Sequence, residues 1–419
     1  MSEMQERDSW GPLPSPAEAW TRVAARWQAP HLATEQVALL EALDRVVARE
    51  VVSPLDSPPF DRSAMDGYAV RSTDLPEGPD RPELTTAGEV PMGTAATAML
   101  GPGQAIWVAT GSMIPPGADA VVNVERTEVT ARRLRIVGPV PPGDNIVIRA
   151  ADLALGDVVL RPGRRLRPQD VAVLASLGYP MVEVVRRPRV AILLTGDELR
   201  APGQPLAPGQ IYNSNGYALA AQALRLGGQP HIVDTIPDDL AAVTNALRSA
   251  VAQAELVLIS GGSSVGVKDL TVQALEALPG AEVLVHGVAT RPGRPTILAI
   301  VSDCLVIGIP GNPVSAMVSF AMFGQPALQR LLRLSAEELA VPRGGAVVQA
   351  RLEGEITSKR GRQDYARVAL RAEAGAWLAR PVPGASSILT SMVFADGLVI
   401  VPPNAERLRP GDEVTVTTF

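Results

Sequence analysis

The sequence predicts a multidomain protein of α/β plus β class: an α/β domain with a parallel sheet, an inserted β-rich domain and a C-terminal small β barrel. Three observations carry this expectation. The chain has 419 residues, enough for about three or four domains at roughly 100–200 residues each, with real hydrophobic cores. From Pro188 strand-like and helix-like segments alternate, the pattern of parallel strands joined by helices. On either side of that region short β-prone pieces are cut by turn signals, in a chain holding 38 Pro and 37 Gly.

Taken in order, the start is loose and polar. Thr34 is placed to cap a helix reaching about Glu50, with Val37, Leu40, Leu43 and Val47 at three-to-four-residue intervals and Ser53 and Pro54 to end it. From Pro54 to about Asn145, pieces such as AIWVAT and AVVNVE alternate with PEGPD, GPGQ, IPPGAD and PPGD, which reads as a small β-rich unit. Between Asp157 and Arg187 a strand precedes the helix RPQDVAVLASLG, where Pro168 suits the first turn and Gly178 the end. This stretch continues the first helical region. Residues 12–53 and 147–187 are therefore expected to form a discontinuous N-terminal domain around an insert at 54–146.

The α/β domain is expected over 188–335. Its strands are RVAILLT, HIVDTI and ELVLISGG, its helices NGYALAAQALRLGG, DDLAAVTNALRSAVAQ and KDLTVQALEAL. EVLVHGVAT, TILAIV and CLVIGIP follow as further strands, before a long helix from near Asn312 to about Leu332. Residues 336–419 hold ARVALRA, WLARPV, LVIVP and EVTVTTF with little helical periodicity, the text of a small barrel.

Composition narrows the function. A formal net charge of -6 argues against general affinity for nucleic acid or anionic membrane, since both need a large positive surface. Lysine occurs only at Lys268 and Lys359, so nearly all positive charge sits on guanidinium groups suited to oxyanions; a compositional bias explains the same usage equally well. The one cysteine, Cys304, excludes a disulfide framework and any multi-cysteine metal site. MSEMQERDSW is not an apolar signal segment and no run of about 18 apolar residues follows, so a soluble cytoplasmic protein is expected.

In an open parallel sheet ligands bind beyond the carboxyl ends of the strands, which gives the loops there most weight. Four are unusual. Thr195-Gly196-Asp197-Glu198 sets two carboxylates after an apolar strand, although either could simply cap a turn. Ser260-Gly261-Gly262-Ser263-Ser264 opens a helix with glycines and hydroxyls fit for an oxyanion, and Asp269 lies near the helix start, where it could cap or bind a divalent cation. Arg291-Pro292-Gly293-Arg294-Pro295 holds two arginines in one tight turn, either an oxyanion clamp or a solvated basic turn. In Pro310-Gly311-Asn312-Pro313-Val314-Ser315, Asn312 fits an N-cap and Pro313 the first helical position, as in many ordinary helices.

Together these loops would ring one sheet edge with donors, cations and carboxylates, a constellation for a phosphate-bearing ligand plus a metal. No Gly-x-x-x-x-Gly-Lys-Ser/Thr loop occurs and Gly-x-Gly-x-x-Gly is missing after the first strand, which lowers kinase and dehydrogenase readings. His31, His231 and His286 are far apart and Cys304 sits in an apolar strand. Acid–base or metal work would fall to carboxylates.

FDRSAMDGYA, TGDEL, YNSNGYAL, SGGSSVGVKD, RPGRP and GIPGNPVS occur in the order and spacing of the MoeA family. The chain resembles these molybdopterin molybdenumtransferases, and is similar to the gephyrin E domain, over essentially its whole length. The resemblance implies a molybdopterin-binding α/β fold and a homodimer with an inter-subunit active site. It also implies an activity in molybdenum cofactor biosynthesis: molybdenum from molybdate is inserted into adenylylated molybdopterin, with a divalent cation such as Mg²⁺ and release of AMP. The upstream partner would be a molybdopterin adenylyltransferase.

Carried over by motif, Asp66, Glu198 and Asp269 are the implied catalytic residues, the last two also as metal ligands. Ser63 and Thr110 belong to the inserted domain's share of the substrate site. Gly261, Gly262, Ser263, Ser264, Pro310, Asn312, Pro313 and Ser315 would cradle pterin or phosphate. Arg291 and Arg294 stand where the family has the lysines of KPGKP, and Arg362, Arg367, Ser386 and Ser387 match positions associated with oxyanion binding. The sequence departs from the family at Arg62 and in Asn145–Asp152, where NIRxxGEDI has become NIVIRAAD, losing an arginine, the glycine and the glutamate. That segment suggests an alternative, a non-catalytic molybdopterin-binding or scaffold protein; a related nucleotide activity on the same fold is a third reading.

Overall fold

The computed structural model describes residues 12–76, 82–261, 265–340, 345–373 and 375–419, with only the backbone described at 265–269. The chain divides into two compact units. One comprises Arg49–Arg161 and Pro168–Met181, the other the rest of the chain.

The larger unit is built on a six-stranded sheet. Its strands are β1 (Arg189–Leu194), β2 (Gln229–Ile232), β3 (Leu256–Ser260), β4 (Ala281–His286), β6 (Ile297–Val301) and β7 (Cys304–Ile309); a short strand β5 (Thr290–Arg291) lies outside it. The order is β2-β1-β3-β7-β6-β4. The first four are parallel, as their alternation with helices predicts, while β6 runs antiparallel to both neighbours. The antiparallel strands need no helix between them: only Ser302 and Asp303 join β6 to β7, with Ser302 at φ 54°.

Both faces of this sheet are covered, which explains why its strands read as continuous apolar runs. Val190, Ile192 and Leu194 face one core with α1 (Asn215–Arg225), while Ala191 and Leu193 face the other with α2 (Leu240–Gln253) and α3 (Val265–Glu276). Cys304 is buried in the second core, where burial pushes its thiol up to about 12; it is a packing residue without thiolate character. The long helix runs over Pro313–Leu331 as α4 (Pro313–Ser319), a π-helical turn (Phe320–Gly324) and α5 (Gln325–Leu331). Pro326 cannot donate to the carbonyl four residues back, which accounts for the widened turn just before it.

Two expectations fail at the start of the chain. Pro16–Arg26, read as loose, is a helix with a capping box: Glu18 N–H donates to Ser15 Oγ and Ser15 N–H to Glu18 Oε2, with Pro16 at the first position. It docks Ala19, Val23 and Trp27 into the α/β core, and Trp27 Nε1 donates to the carbonyl of Asp303 at 2.9 Å. Thr34–Glu50 is not a helix. Thr34–Ala38 is a strand, turns follow, and Val46 and Val47 bridge to Arg165 and Val184. The supposed apolar stripe is split, with Leu40 87% exposed and Val47 buried, and Asp44 sits at φ 62°; β-branched pairing outweighs helical spacing here.

After α5 the chain forms a barrel from β8 (Val347–Leu352), β9 (Gln363–Glu373), β10 (Ala376–Pro381), β11 (Gly397–Val401) and β12 (Glu413–Thr418). The order β9-β10-β8-β12-β11 is closed by β9–β11 pairing, which removes sheet edges. β5 adds to it in parallel, Thr290 opposite Gln363 and Arg291 opposite Asp364.

The smaller unit holds another six-stranded sheet, in the order Ala120–Asn123, Gly67–Val70, Gln104–Val108, Leu84–Val90, Arg133–Ile136, Thr127–Thr130. Alternate residues feed two clusters, Ala120 and Val122 in one and Val121 in the other. Pro168–Ser176 is the helix expected there, followed by Gly178 at φ 81°.

Glu255, at the entry to β3, pins the α/β sheet. Its buried carboxylate accepts from Arg186 at 2.8 Å and from the Arg189 amide at 2.7 Å and guanidinium at 2.8 Å. Burial alone would raise this carboxyl; the Arg189 hydrogen bonds and the Arg186 guanidinium outweigh it and hold it below its ordinary 4.5. Glu255→Ala is expected to cost about 1–3 kcal/mol by urea unfolding at pH 7, as charge-assisted hydrogen bonds from two partly exposed guanidinium groups are lost. A depressed carboxyl stabilises above its unfolded value, so the difference should shrink as the pH falls below 4.5.

Candidate active site

The register of the parallel strands decides where their loops emerge. Leu194 lies opposite Ser260, and Ser260 opposite Ile309, so β1, β3 and β7 end level. The loops carrying Glu198, Gly261 and Pro310–Asn312 therefore leave one edge, and α3, which carries Asp269, begins there too. Because β6 is antiparallel, Ile297 pairs with both Gly308 and His286, and the segment 287–296 with Arg291 and Arg294 emerges at the same end. Gly262, Ser263 and Ser264, and the Asp269 side chain, lie outside the described residues.

Asn215, the first residue of α1, ties two of these loops together. Its Nδ2 donates to the Gly311 carbonyl at 2.7 Å and to Ser260 Oγ at 3.3 Å. It reaches them because the helix start approaches β1 closely: a Cβ on Gly216 would stand 2.7 Å from Leu194 Cδ1, and the Gly216 amide donates to Asn213 Oδ1 at 2.8 Å. Asn312 occupies the N-cap of α4 without a side-chain capping bond, with Pro313 at the first position and Ser315 buried. The Val314 amide donates to the Ser386 carbonyl at 3.1 Å, fastening this helix start to the barrel.

Acidic groups gather where β1 and β2 end. The Glu198 carboxylate folds back over Gly196, where an added Cβ would lie 2.6 Å from Oε2, and Gly196 has φ 145°; only glycine suits that position. Asp238, after β2, has its carboxyl raised by partial burial and by the nearby Glu198 and Asp197 carboxylates. Among the described residues no three of His, Cys, Asp and Glu stand together as a metal cage.

Basic groups line a cleft of about 1170 Å³ between the α/β domain and the barrel, among them Arg291, Arg294, Lys359, Arg362 and Arg367, with Ser386 beside them. The RPGRP turn fits by close approach: Gly293 has φ 104° and an added Cβ would lie 2.8 Å from Ser319 Oγ. Arg362 is neutralised by buried Asp364 at 2.8 Å. Arg367 is held by neutral acceptors instead, the Gly384 carbonyl and Ser391 Oγ, both at 2.5 Å. Burial and the Arg291 cation push its guanidinium below its ordinary value, as like charge and desolvation both disfavour the charged form. Ser387 is exposed and does not line this cleft.

In the smaller unit Asp66 and Thr110 meet. The Thr110 amide donates to Asp66 Oδ1 at 2.6 Å and its hydroxyl to the same oxygen at 2.9 Å, and these two bonds hold the exposed carboxyl below its ordinary range. Gly67 must be glycine, since a Cβ would lie 2.0 Å from the Val122 carbonyl oxygen. Ser63 is buried, with its hydroxyl donating to the Met65 carbonyl at 2.5 Å, so it shapes the turn that presents Asp66.

Comparison with known proteins gives the family. Residues 14–178 match the MoeA N-terminal region (domain I and II), 191–330 a probable molybdopterin binding domain, and 349–419 the MoeA C-terminal region (domain IV). The chain is 35% identical over 390 residues to a molybdopterin molybdenumtransferase of Nostoc sp., covering 91% of this chain and 88% of that one. The Bacillus subtilis protein of the same name is 35% identical over 392 residues, covering 91% and 89%. The crystal structure of the molybdopterin biosynthesis moeA protein from Pyrococcus horikoshii OT3 superposes with a TM-score of 0.82 at 32% identity, over 97% of this chain and 100% of that one.

The chain belongs to the MoeA family.

Three residues of this MoeA chain's edge and cleft are given no role by the sequence motifs. Asn215 was legible only as a helix start, Asp238 as one of two aspartates before α2, and Lys359 as one of two lysines; each acquires its place from strands or turns distant in sequence. The departures of this MoeA sequence also gain a physical account. Ala150 has φ 61° at the position of the family's glycine, and the segment is held by Arg149 N–H donating to Asp61 Oδ1 at 2.6 Å and by the Arg149–Asp56 ion pair. Ala150→Gly should relieve the left-handed strain and stabilise the smaller unit by about 1 kcal/mol; an unchanged denaturation midpoint would contradict this.

Proposed function

We infer that this chain is a molybdopterin molybdenumtransferase of molybdenum cofactor biosynthesis, transferring molybdenum from molybdate to adenylylated molybdopterin with release of AMP. The observation that carries this reading is that Arg291 and Arg367, close enough for one cation to act on the other, line one cleft at the sheet edge from which Glu198 also emerges. A doubly charged tetrahedral oxyanion is what such a pair awaits. The relatives' names favour the enzyme over a non-catalytic pterin-binding or scaffold protein.

In this reading Arg291, Arg294, Arg362, Arg367 and Ser386, with Ser387 on the exposed rim, bind the oxyanion. Gly261, Pro310, Asn312, Pro313 and Ser315, together with Gly262, Ser263 and Ser264, cradle the pterin and phosphates. The Asn312 amide is not used on the helix start, which leaves it for a ligand. A divalent cation such as Mg²⁺ fits the donor set: the carboxylates of Asp197, Glu198 and Asp238 are near enough to repel, and this ion commonly takes one or two carboxylates and completes its shell with substrate phosphate. Glu198 and Asp238, with Asp269, would hold it, and when bound it would neutralise charge on the anhydride and molybdate oxygens. Asp66, kept anionic by Thr110, and Ser63 act from the inserted domain.

The remaining assignments rest on the family. We assign domains at 12–53 with 147–187, 54–146, 188–335 and 336–419, a homodimer whose site is completed between subunits, a cytoplasmic location and a molybdopterin adenylyltransferase upstream. No described helix is long and apolar enough to cross a membrane.

Purified protein given adenylylated molybdopterin, Mg²⁺ and molybdate should release AMP in proportion to molybdate; absence of AMP at every molybdate concentration overturns the reading. Asp269→Asn should lower the rate of AMP release more than substrate affinity, because a carboxylate matters most where charge develops. Asp238→Asn tests the acidic group by melting temperature. A raised carboxyl disfavours its charged form, so folding loses stability as pH rises through its value. The variant should therefore melt no lower than the parent in EDTA, and should lose most of the rise that Mg²⁺ gives the parent.

A further inference from the structure

Residues alternate along β9. Asp364 and Val368 point into the barrel, where both are buried, so Gln363, Tyr365 and Arg367 share the opposite face. The Tyr365 ring packs against the cluster of Val314, Val318 and Met392, and the residue lines the same cleft as Arg291 and Arg367. Gln363 Nε2 donates to the Tyr365 hydroxyl oxygen at 2.7 Å. A phenol has one hydrogen to donate as well as lone pairs to accept with. Here the accepting side is used by Gln363, and among the described residues the hydrogen finds no acceptor. Burial pushes the phenol up to about 12, so the hydrogen is retained at neutral pH. Of the charges that line the cleft, Arg291 and Arg367 cannot accept it, and the carboxylates of Asp364 and Glu355 face Arg362 and Arg407 instead.

We propose that the Tyr365 hydroxyl is a neutral hydrogen-bond donor of the oxyanion subsite, donating to an oxygen of the tetrahedral anion held by Arg291 and Arg367. Gln363 orients it by taking the lone pair. The identity of the anion as molybdate rests on the function proposed above; the donor role does not. A neutral donor adds directionality between two cations without adding to their repulsion.

Isothermal titration of the full-length protein with molybdate, tungstate and sulfate tests this. Tyr365→Phe removes only the hydroxyl and should weaken oxyanion binding by roughly 10-fold or more, the range for a hydrogen bond to a charged group. The KM for molybdate should rise correspondingly, with a smaller change in kcat. Gln363→Leu keeps the hydroxyl and should weaken binding by about threefold at most. Binding by Tyr365→Phe within about twofold of the parent for all three anions, or an equal loss in Gln363→Leu, would overturn the assignment and reduce the pair to a packing role. If the parent binds sulfate, releases no AMP, and still depends on Tyr365 for the anion, the transferase reading fails while the donor assignment stands.

Discussion

The level ending of β1, β3 and β7 is the constraint on which the rest of the site depends. Their pairing sets Leu194, Ser260 and Ile309 side by side, and each of these residues is the last of its strand. A slip of one residue in β1 would exchange Val190, Ile192 and Leu194 for Ala191 and Leu193 across the sheet, putting the wrong volumes into two filled cores. The hydrophobic packing that fixes the register therefore also fixes where Glu198, Gly261 and Asn312 emerge. The antiparallel β6 extends the same logic to the RPGRP turn, which a fifth parallel strand would have delivered to the other end of the sheet.

The two barrel arginines that line this cleft are held in different ways. Arg362 is paired with a buried aspartate and serves the barrel as much as the cleft. Arg367 is different: neutral acceptors fix its direction while its charge stays available, at the expense of desolvation and repulsion from Arg291. Asp197, Glu198 and Asp238 repeat the pattern with the opposite sign. Unsatisfied like charges destabilise a folded chain, so their presence in two groups argues for guests that neutralise them. In the function proposed above, a phosphate-bearing substrate with a tetrahedral oxyanion and a hard cation would meet both needs.

The α/β domain was legible because its elements are long and internally consistent. Apolar runs of strand length alternate with helical periodicity from Pro188, and the observed boundaries of β1, β3, α1 and α2 follow the sequence pattern closely. The first fifty residues were not, for two different reasons. The capping box at Ser15–Glu18 is a local signal that sequence alone contains, so Pro16–Arg26 could have been found. Thr34–Glu50 could not, since Val46 and Val47 are decided by partners more than a hundred residues away. The same distinction runs through the site. Arg291, Arg294 and Asn312 announce themselves through neighbouring proline and glycine, whereas Asp238, Asn215 and Tyr365 become chemical groups only when loops from separate strands meet.

The altered segment after Asn145 tests how far a motif can drift before its chemistry goes. Losing glycine at residue 150 forces alanine to φ 61°, a strain that persists only where surrounding bonds over-determine the backbone. Those bonds are present: Ala150 N–H donates to the Pro58 carbonyl at 3.0 Å, Asp152 N–H to the Ser57 carbonyl at 2.9 Å, and Asp61 receives the Arg149 amide. The nearby Asn145 amide still donates to Val121 at 2.9 Å, and Ile146 still pairs with Ser63. The turn that presents Asp66 to Thr110 is thus anchored by residues the substitutions leave in place. Since these bonds hold the segment, the departures weigh on local stability more than on the carboxylate the inserted domain offers, and they give little ground for preferring a scaffold to an enzyme.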